Sequence, residues 1–553
     1  MYFQESERLA AEEPGLERVI RQVDGVLQTL GPGSIVCVET LSKRLQHKAS
    51  QIEAILVELE KSGLLHSEQM VQCPDCENLM PAADYAAAVD DEDNFLCSQC
   101  GLDLGKQECD EVAVYRQQPL LNEEPQLGSE NRARVQEIKE SSPAQSLPHG
   151  FAENPFRTTP LLHYYSRDPD LLEAKPFQGV RAIVVLHFLR DLIPFMEAIF
   201  RLGQNPKNVT LFYKAYPYPQ REAVTTYLME RGCEVLPVSQ IPQHLANLDQ
   251  VSDEQAGPIL IVEDGGLCVP MIHRAYPSLR SRVVGAVEQT TRGVMNIQDW
   301  LSEDGSRQLA FPFLSVAGSN LKAEFEPRYI AEAVVANIHK MLPDIALKGK
   351  QVGLFGYGAI GRQIGQWLLR NGANVTVYEP DKEKALVAQQ EGGINLAESP
   401  KEAASGKHYI IGASGRQSVD ADVISSLRQD CYLMSASSEQ YEIDLGELHR
   451  LAQQEHPLSG EDDSPIGTDF MLAPDGRTVH VLANGYPVNF WGMSSMPNEA
   501  SDLIMTLILL SAVEVASRKY TAPQVDSNAV NTLADTEHYD LAGNFLRIHK
   551  PSR

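Results

Sequence analysis

Gly356, Gly358 and Gly361 stand in a G-x-G-x-x-G spacing, between the apolar run QVGLF and the helix-like run RQIGQWLLRNG. This pattern suits a dinucleotide. The first glycine permits a tight turn, the second lets backbone approach a pyrophosphate, and the third lets helix and strand pack closely. The helix start, from Gly358 through Ala359 and Ile360 to Gly361, then meets the phosphate charge. A second strand, NVTVYE, ends in Glu379. A carboxylate there accepts hydrogen bonds from the adenosine ribose hydroxyls and repels a 2′-phosphate, so NAD is expected rather than NADP. A second chemistry is written in cysteine. Cys73 and Cys76 form one C-x-x-C pair, and Cys97 and Cys100 form another. Two matched pairs complete a tetrahedral thiolate site for Zn, closed and therefore structural.

Alternating elements must position the glycine loop. Apolar strands are expected at RAIVVLHF (181–188), VTLFYKA (209–215), CEVLPV (233–238), PILIVEDGG (258–266) and SRVVGAVEQTT (281–291), with amphipathic helices between them. A second set starts at Gln351 and includes NVTVYEPD, HYIIGASG, CYLMSAS and TVHVLANG. Strands separated by helices imply parallel, doubly wound sheets. Asp264, before Gly265 and Gly266 at a strand's C-terminal end, lies where such sheets bind ligands.

Ahead of these sheets, residues 16–72 read as helix, short strand, helix, helix, strand, the order of a winged helix-turn-helix. The segment holds six Lys and Arg against seven Asp and Glu. A groove-reading helix presents positive charge to phosphates, so the charge argues against DNA and for a protein partner. Residues 105–160, rich in Glu, Gln, Ser and Pro, read as a flexible linker. The chain has 553 residues and a net charge of −28 with no basic block, which argues against general binding to nucleic acid or anionic membrane. The start, MYFQESERLAAEEPG, does not read as a signal peptide. LIMTLILLSAVEVA, from Leu503, reads as a buried helix too short to span a bilayer. A cytoplasmic protein is expected.

From about residue 165 to 520 the chain resembles S-adenosylhomocysteine hydrolase. LIVEDGGLCVPMIHRAYP, VVGAVEQTTRGV, FPFLSVAGSNLKAEFEPRY, SASSEQYEID and LANGYPVNFWGMSSMP are similar to five family segments in the same order, around the glycine motif. The resemblance implies an α/β fold in which a Rossmann NAD-binding domain (346–486) is inserted in a doubly wound substrate domain (161–345, with a return at 487–553). A winged-helix-like module (1–70) and a four-cysteine zinc ribbon (71–104) precede it. It also implies a reaction: a ribose 3′-hydroxyl is oxidised with bound NAD, a thiol leaves, water adds, and the ketone is reduced again. The ligand would be nucleoside-type, and the assembly a homo-oligomer as in the family.

The resemblance assigns His187 and Asp264 to the substrate side, Lys322 and Glu326 near the 3′-hydroxyl, Asn489 near the nicotinamide, and Thr290 and Thr291 to NAD. Departures accompany these. Gln289 stands at a family glutamate, Glu326 at an aspartate, Pro327 at an asparagine and Ala331 at a cysteine. Ser438 and Met496 stand at two family histidines. PYPQR (217–221) differs from the polar segment on the adenine side, and HYDLAGNFLRIHKPSR lacks the family ending that reaches a neighbouring subunit. Removing one acid or base costs about two to four orders of magnitude in rate, so loss of three points to another substrate or to a sensor. Two residues stay open. Lys322, in SNLKAEFE, suits a catalytic base or a surface pair with Glu324 or Glu326. His187 suits a site or a core.

Overall fold

The computed structural model describes residues 4–30, 35–45, 47–72, 79–81, 94–96, 103–105, 110–117, 146–216, 218–251, 257–302, 307–343, 346–438, 440–460, 465–517 and 539–549. The chain divides into two compact units, Met1–Gln136 and Glu137–Arg553. Cys73, Cys76, Cys97 and Cys100 lie outside the described residues.

The first unit carries helices Gln4–Glu12, Glu17–Leu30, Val38–Leu45 and Ala49–Lys61. Its strands are β1 (Ile35–Cys37), β2 (Leu65–Gln72), β3 (Leu79–Pro81), β4 (Asn94–Leu96), β5 (Asp103–Gly105) and β6 (Asp110–Gln117). Ile52, Ile55, Leu56 and Leu59 recur at helical spacing and bury one face of Ala49–Lys61. The antiparallel sheet runs β1-β6-β2-β3, and β4 pairs with β5. Here the linker expectation for 105–160 fails in part. DEVAVYRQ pairs with both β1 and β2, because alternate residues have two faces to cover. Val112 and Val114 pack with Cys37 and Met70, while Tyr115 joins the helical core. The β2–β6 pairing therefore carries this module past the expected limit at residue 70.

The second unit holds two parallel-rich sheets. The first contains β7 (Arg181–Val185), β8 (Val209–Tyr213), β9 (Glu234–Pro237), β10 (Ile259–Glu263), β11 (Val283–Glu288) and β12 (Phe313–Ser315). Its order is β12-β11-β10-β7-β8-β9, all parallel. The second contains β13 (Gln351–Phe355), β14 (Asn374–Tyr378), β15 (Ile394–Leu396), β16 (Tyr409–Gly412), β17 (Cys431–Ser435), β18 (Ala452–Ser459), β19 (Pro465–Leu472) and β20 (Arg477–Leu482). Its order is β15-β14-β13-β16-β17-β20-β19-β18, antiparallel only at β20-β19-β18. Strand order reverses between β7 and β10 in one sheet and between β13 and β16 in the other. In doubly wound sheets, ligands bind at such reversals, beyond the strands' C-terminal ends.

Helix Asn498–Ala516 returns to the first sheet and is buried in its core with Phe195, Leu211, Val262 and Leu314. Each fully buried Leu or Ile there contributes about 1.5–3 kcal/mol. Among the described residues no helix is long and apolar enough to cross a membrane. Asp502 of this helix is buried. It accepts the N–H groups of Leu161 at 2.7 Å and Leu162 at 2.9 Å, and its Oδ2 meets His549 Nε2 at 2.8 Å. These contacts pin helix Leu541–Ile548 to its own sheet. Helix Pro327–Met341 packs into the second core through Ala331, Val334 and Ile338, ahead of the expected boundary at 346. Its apolar face is continuous with Val352 and Leu354, which the boundary reading missed.

Candidate functional site

The glycine loop follows β13. Gly356 has φ +94°, and a Cβ there would lie 2.6 Å from the Ala413 carbonyl oxygen. A Cβ on Gly361 would lie 2.2 Å from the Gly356 carbonyl oxygen. Gly358 is different: its backbone is extended and a Cβ would meet nothing within 4 Å. The space over Gly358, at the start of helix Ala359–Arg370, is the room a pyrophosphate needs. Glu379, just past β14, accepts the Tyr357 N–H at 2.6 Å through Oε2 and the Asp381 N–H at 2.9 Å through Oε1. The acid thus sits against the loop, as ribose recognition requires. Asn489 donates to Ser495 Oγ at 2.8 Å, while its buried Oδ1 has no hydrogen-bond partner among the described residues. An orphaned acceptor suits the amide of a nicotinamide. These residues fit the dinucleotide.

The loop after β16 is braced by a residue the sequence reading passed over. Buried Glu442 accepts the N–H groups of Ser414 at 2.6 Å and Gly415 at 2.7 Å, and the hydroxyls of Ser437, Ser414 and Ser418. From the first sheet, helix Thr291–Ser302 reaches this loop. Arg292 donates to the Gly415 carbonyl at 3.0 Å and lies 4.1 Å over the Tyr441 ring centroid.

A charged cluster occupies the strand ends of the first sheet. Asp264, after β10, is fully buried. Its Oδ2 lies 2.9 Å from His187 Nε2, and its Oδ1 accepts from Lys214 Nζ at 2.5 Å. His187 Nδ1 meets the Tyr218 hydroxyl. Burial alone would raise the Asp264 carboxyl, but the Lys214 ammonium and His187 outweigh it and hold the group well below the usual carboxylate range. The rings of Tyr216, Tyr218 and Phe490 surround His187. Its place is therefore in this cluster, partnered on both ring nitrogens.

Behind Asp264 lie two more buried acids, Glu263 and Glu288. Glu288 accepts the N–H groups of Gly265 and Gly266 at 3.1 and 2.9 Å, and both the N–H and hydroxyl of Thr290 at 2.7 Å. Burial and the neighbouring charges of Glu263 and Asp264 push it up to about 8. Thr290 thus shapes the turn, and Thr291 starts the next helix with its side chain exposed. Lys322 is buried, and its Nζ lies 2.8 Å from Glu326 Oε2, so it is not a surface lysine. The structure brings together His187 with Asp264, and Lys322 with Glu326. Lys214, Tyr218, Glu288 and Glu442 were missed. Lys214 left one signal: a cation at the end of the apolar run VTLFY.

Comparison with known proteins agrees with this geometry. Residues 329–495 match the family model of the S-adenosyl-L-homocysteine hydrolase NAD binding domain. The chain is 27% identical over 349 residues to S-inosyl-L-homocysteine hydrolase of Methanopyrus kandleri, covering 63% of this chain and 78% of that one. It is 27% identical over 354 residues to adenosylhomocysteinase of Pyrococcus abyssi, covering 64% and 79%. It is 24% identical over 348 residues to adenosylhomocysteinase of Aeropyrum pernix, covering 62% and 80%. The span 329–495 carries an adenosylhomocysteinase-like NAD-binding domain. The match begins inside helix Pro327–Met341, where the second core begins.

Proposed function

We propose that this chain is an NAD-dependent enzyme of adenosylhomocysteinase-like type, acting on a nucleoside thioether other than S-adenosylhomocysteine. The observation that carries this reading is the pairing of the buried Lys322 ammonium with the half-buried Glu326 carboxylate one helical turn away. An ammonium held out of water beside a carboxylate is placed to exchange a proton with a ribose hydroxyl. Gly356, Gly358, Ala359, Ile360, Gly361, Glu379, Thr290, Thr291 and Asn489 are assigned to hold the dinucleotide. Bound NAD would supply a hydride acceptor for the ribose hydroxyl. Lys322 passes a hydrogen to Glu326, takes the hydroxyl proton in its place, and both transfers reverse on reduction. Asp264 stays ionised and orients His187 toward the far end of the ligand. The substituted positions Gln289, Ser438 and Met496 support a changed substrate.

The test is optical. Protein loaded with NAD is mixed in turn with S-adenosylhomocysteine, S-inosylhomocysteine, adenosine and inosine, and the near-ultraviolet band of reduced nicotinamide is followed. A band with S-inosylhomocysteine or inosine but not with S-adenosylhomocysteine, abolished by Lys322→Ala, is expected. Firm NAD binding without a band for any of them would refute the enzyme reading. It would leave a sensor that binds NAD or a nucleoside, the reading that Ser438 and Met496 favour. The first unit supports a winged-helix-like docking module for a protein partner rather than DNA. Glu53 and Glu58 are exposed on helix Ala49–Lys61, and Lys61 is paired with Glu58 at 2.6 Å. The spacing of Cys73, Cys76, Cys97 and Cys100 supports a structural Zn site, which metal analysis of the purified protein would reveal.

A further inference from the structure

Three neighbouring strands, β8, β7 and β10, are followed within one or two residues by Lys214, His187 and Asp264 respectively. We infer that Lys214 is a positioning residue: its buried ammonium reaches past the end of β7 to lock Asp264, and the locked carboxylate makes His187 and Tyr218 the proton path of this site. The proton path rests on the enzyme reading above, whereas the lock does not.

The lock follows from charge and geometry. Asp264 is fully enclosed and engages a different partner with each oxygen. Its other neighbours oppose ionisation. Glu263 and Glu288 are both buried beside it on β10 and β11, and Asp191 is buried near His187. In this low-dielectric setting the adjoining acids do not all ionise: burial and the charges of Glu263 and Asp264 push Glu288 up to about 8. Lys214, itself 2% exposed, supplies the counter-charge. Its ammonium also lies 5.5 Å from the Tyr216 ring centroid.

The proton path follows from the two faces of the imidazole. Nε2 faces an ionised carboxylate, so in neutral His187 that nitrogen carries the hydrogen. Nδ1 is then the acceptor for the Tyr218 hydroxyl. When a ligand hydroxyl or water loses its proton to the Tyr218 oxygen, the Tyr218 hydrogen passes to Nδ1. One O–H bond of the ligand and one of Tyr218 break, and a new Tyr218 O–H and an N–H form. The resulting imidazolium faces Asp264, which needs no proton of its own.

Difference infrared spectroscopy of the full chain at neutral pH tests the lock without any substrate. Lys214→Met is expected to gain one protonated-carboxyl C=O band beyond those that wild type already shows from acids such as Glu288. The band should vanish in Lys214→Met/Asp264→Asn, and Lys214→Arg should keep the wild-type spectrum. A folded Lys214→Met protein with no new band overturns the inference. If Lys214→Met fails to fold, the double variant, which removes both charges, is expected to fold, and failure of both overturns it as well. Where a nucleoside reduces the bound NAD, Tyr218→Phe should lower the rate of the full turnover about 10²–10⁴-fold with KM within about twofold, and alter its pH profile. An unchanged rate and profile would remove Tyr218 from the path. Failure of every nucleoside sinks the enzyme reading alone, because the carboxyl band still reads the lock.

Discussion

Replacing Gly358 by alanine separates cofactor binding from folding. The residue has φ −69° and ψ −168°, which alanine adopts freely, and its added methyl meets no protein atom within 4 Å. Stability without cofactor should therefore hold or rise by about 0.4–1 kcal/mol through the less flexible unfolded chain. With NAD the methyl enters the space the pyrophosphate needs. Loss of one charge-assisted bond costs about 1.5–3 kcal/mol, roughly a 10- to 150-fold weaker Kd. Gly361→Ala is the contrast. Its methyl would lie 2.2 Å from the backbone oxygen of Gly356, which cannot swing aside, so folding should lose about 1–3 kcal/mol or more. Thermal unfolding with and without NAD reads both effects. At about 100 times the wild-type Kd, NAD adds roughly 2.7 kcal/mol to wild type, and a hundredfold weaker variant keeps only about 0.4. A Gly358→Ala protein with the full wild-type shift would show that the dinucleotide lies elsewhere.

Two further outcomes follow from buried acids. Glu288 is pushed up to about 8 from an ordinary 4.5, so between those values the folded chain holds a proton that the unfolded chain has released. Stability should then fall as pH rises across that window, by up to about 1.4 kcal/mol per pH unit. In Glu288→Gln that slope should flatten, and urea unfolding from pH 5 to 8 checks it. Asp502→Ala orphans the N–H groups of Leu161 and Leu162 and frees His549, at a cost of about 3 kcal/mol. Limited proteolysis should then cut near residue 540 well before wild type, and equal cutting rates would show that the pin is dispensable.

The strands that carry the site were legible because parallel strands buried on both faces are continuous apolar runs, as in RAIVV, ILIVE and QVGLF. The glycine loop was legible for a related reason: each glycine answers a local steric demand. What escaped depends on distant partners. β18, AQQEHPLS, is almost entirely exposed and owes its strand state to pairing with β19. β6 looked like linker because its partners β1 and β2 lie far back in the chain. Lys214 and Asp264 are 50 residues apart, and the one local signal at Lys214, its place after an apolar run, does not name the partner. Glu442 serves five donors drawn from two segments, a role no spacing rule encodes.

Helix Asn498–Ala516 also sets a timetable. It fills a core whose other members begin at Phe151, and the whole dinucleotide sheet, β13 to β20, is made in between. A chain emerging from the ribosome therefore meets everything its second sheet needs while the first still lacks its central helix. Until that helix arrives, this face of six parallel strands is covered only in part, by the earlier helices that carry Leu161, Phe195 and Leu228, a state prone to misassembly. Closing so long a loop adds only about 0.6 kcal/mol per doubling of length, so the arrangement costs waiting time rather than final stability.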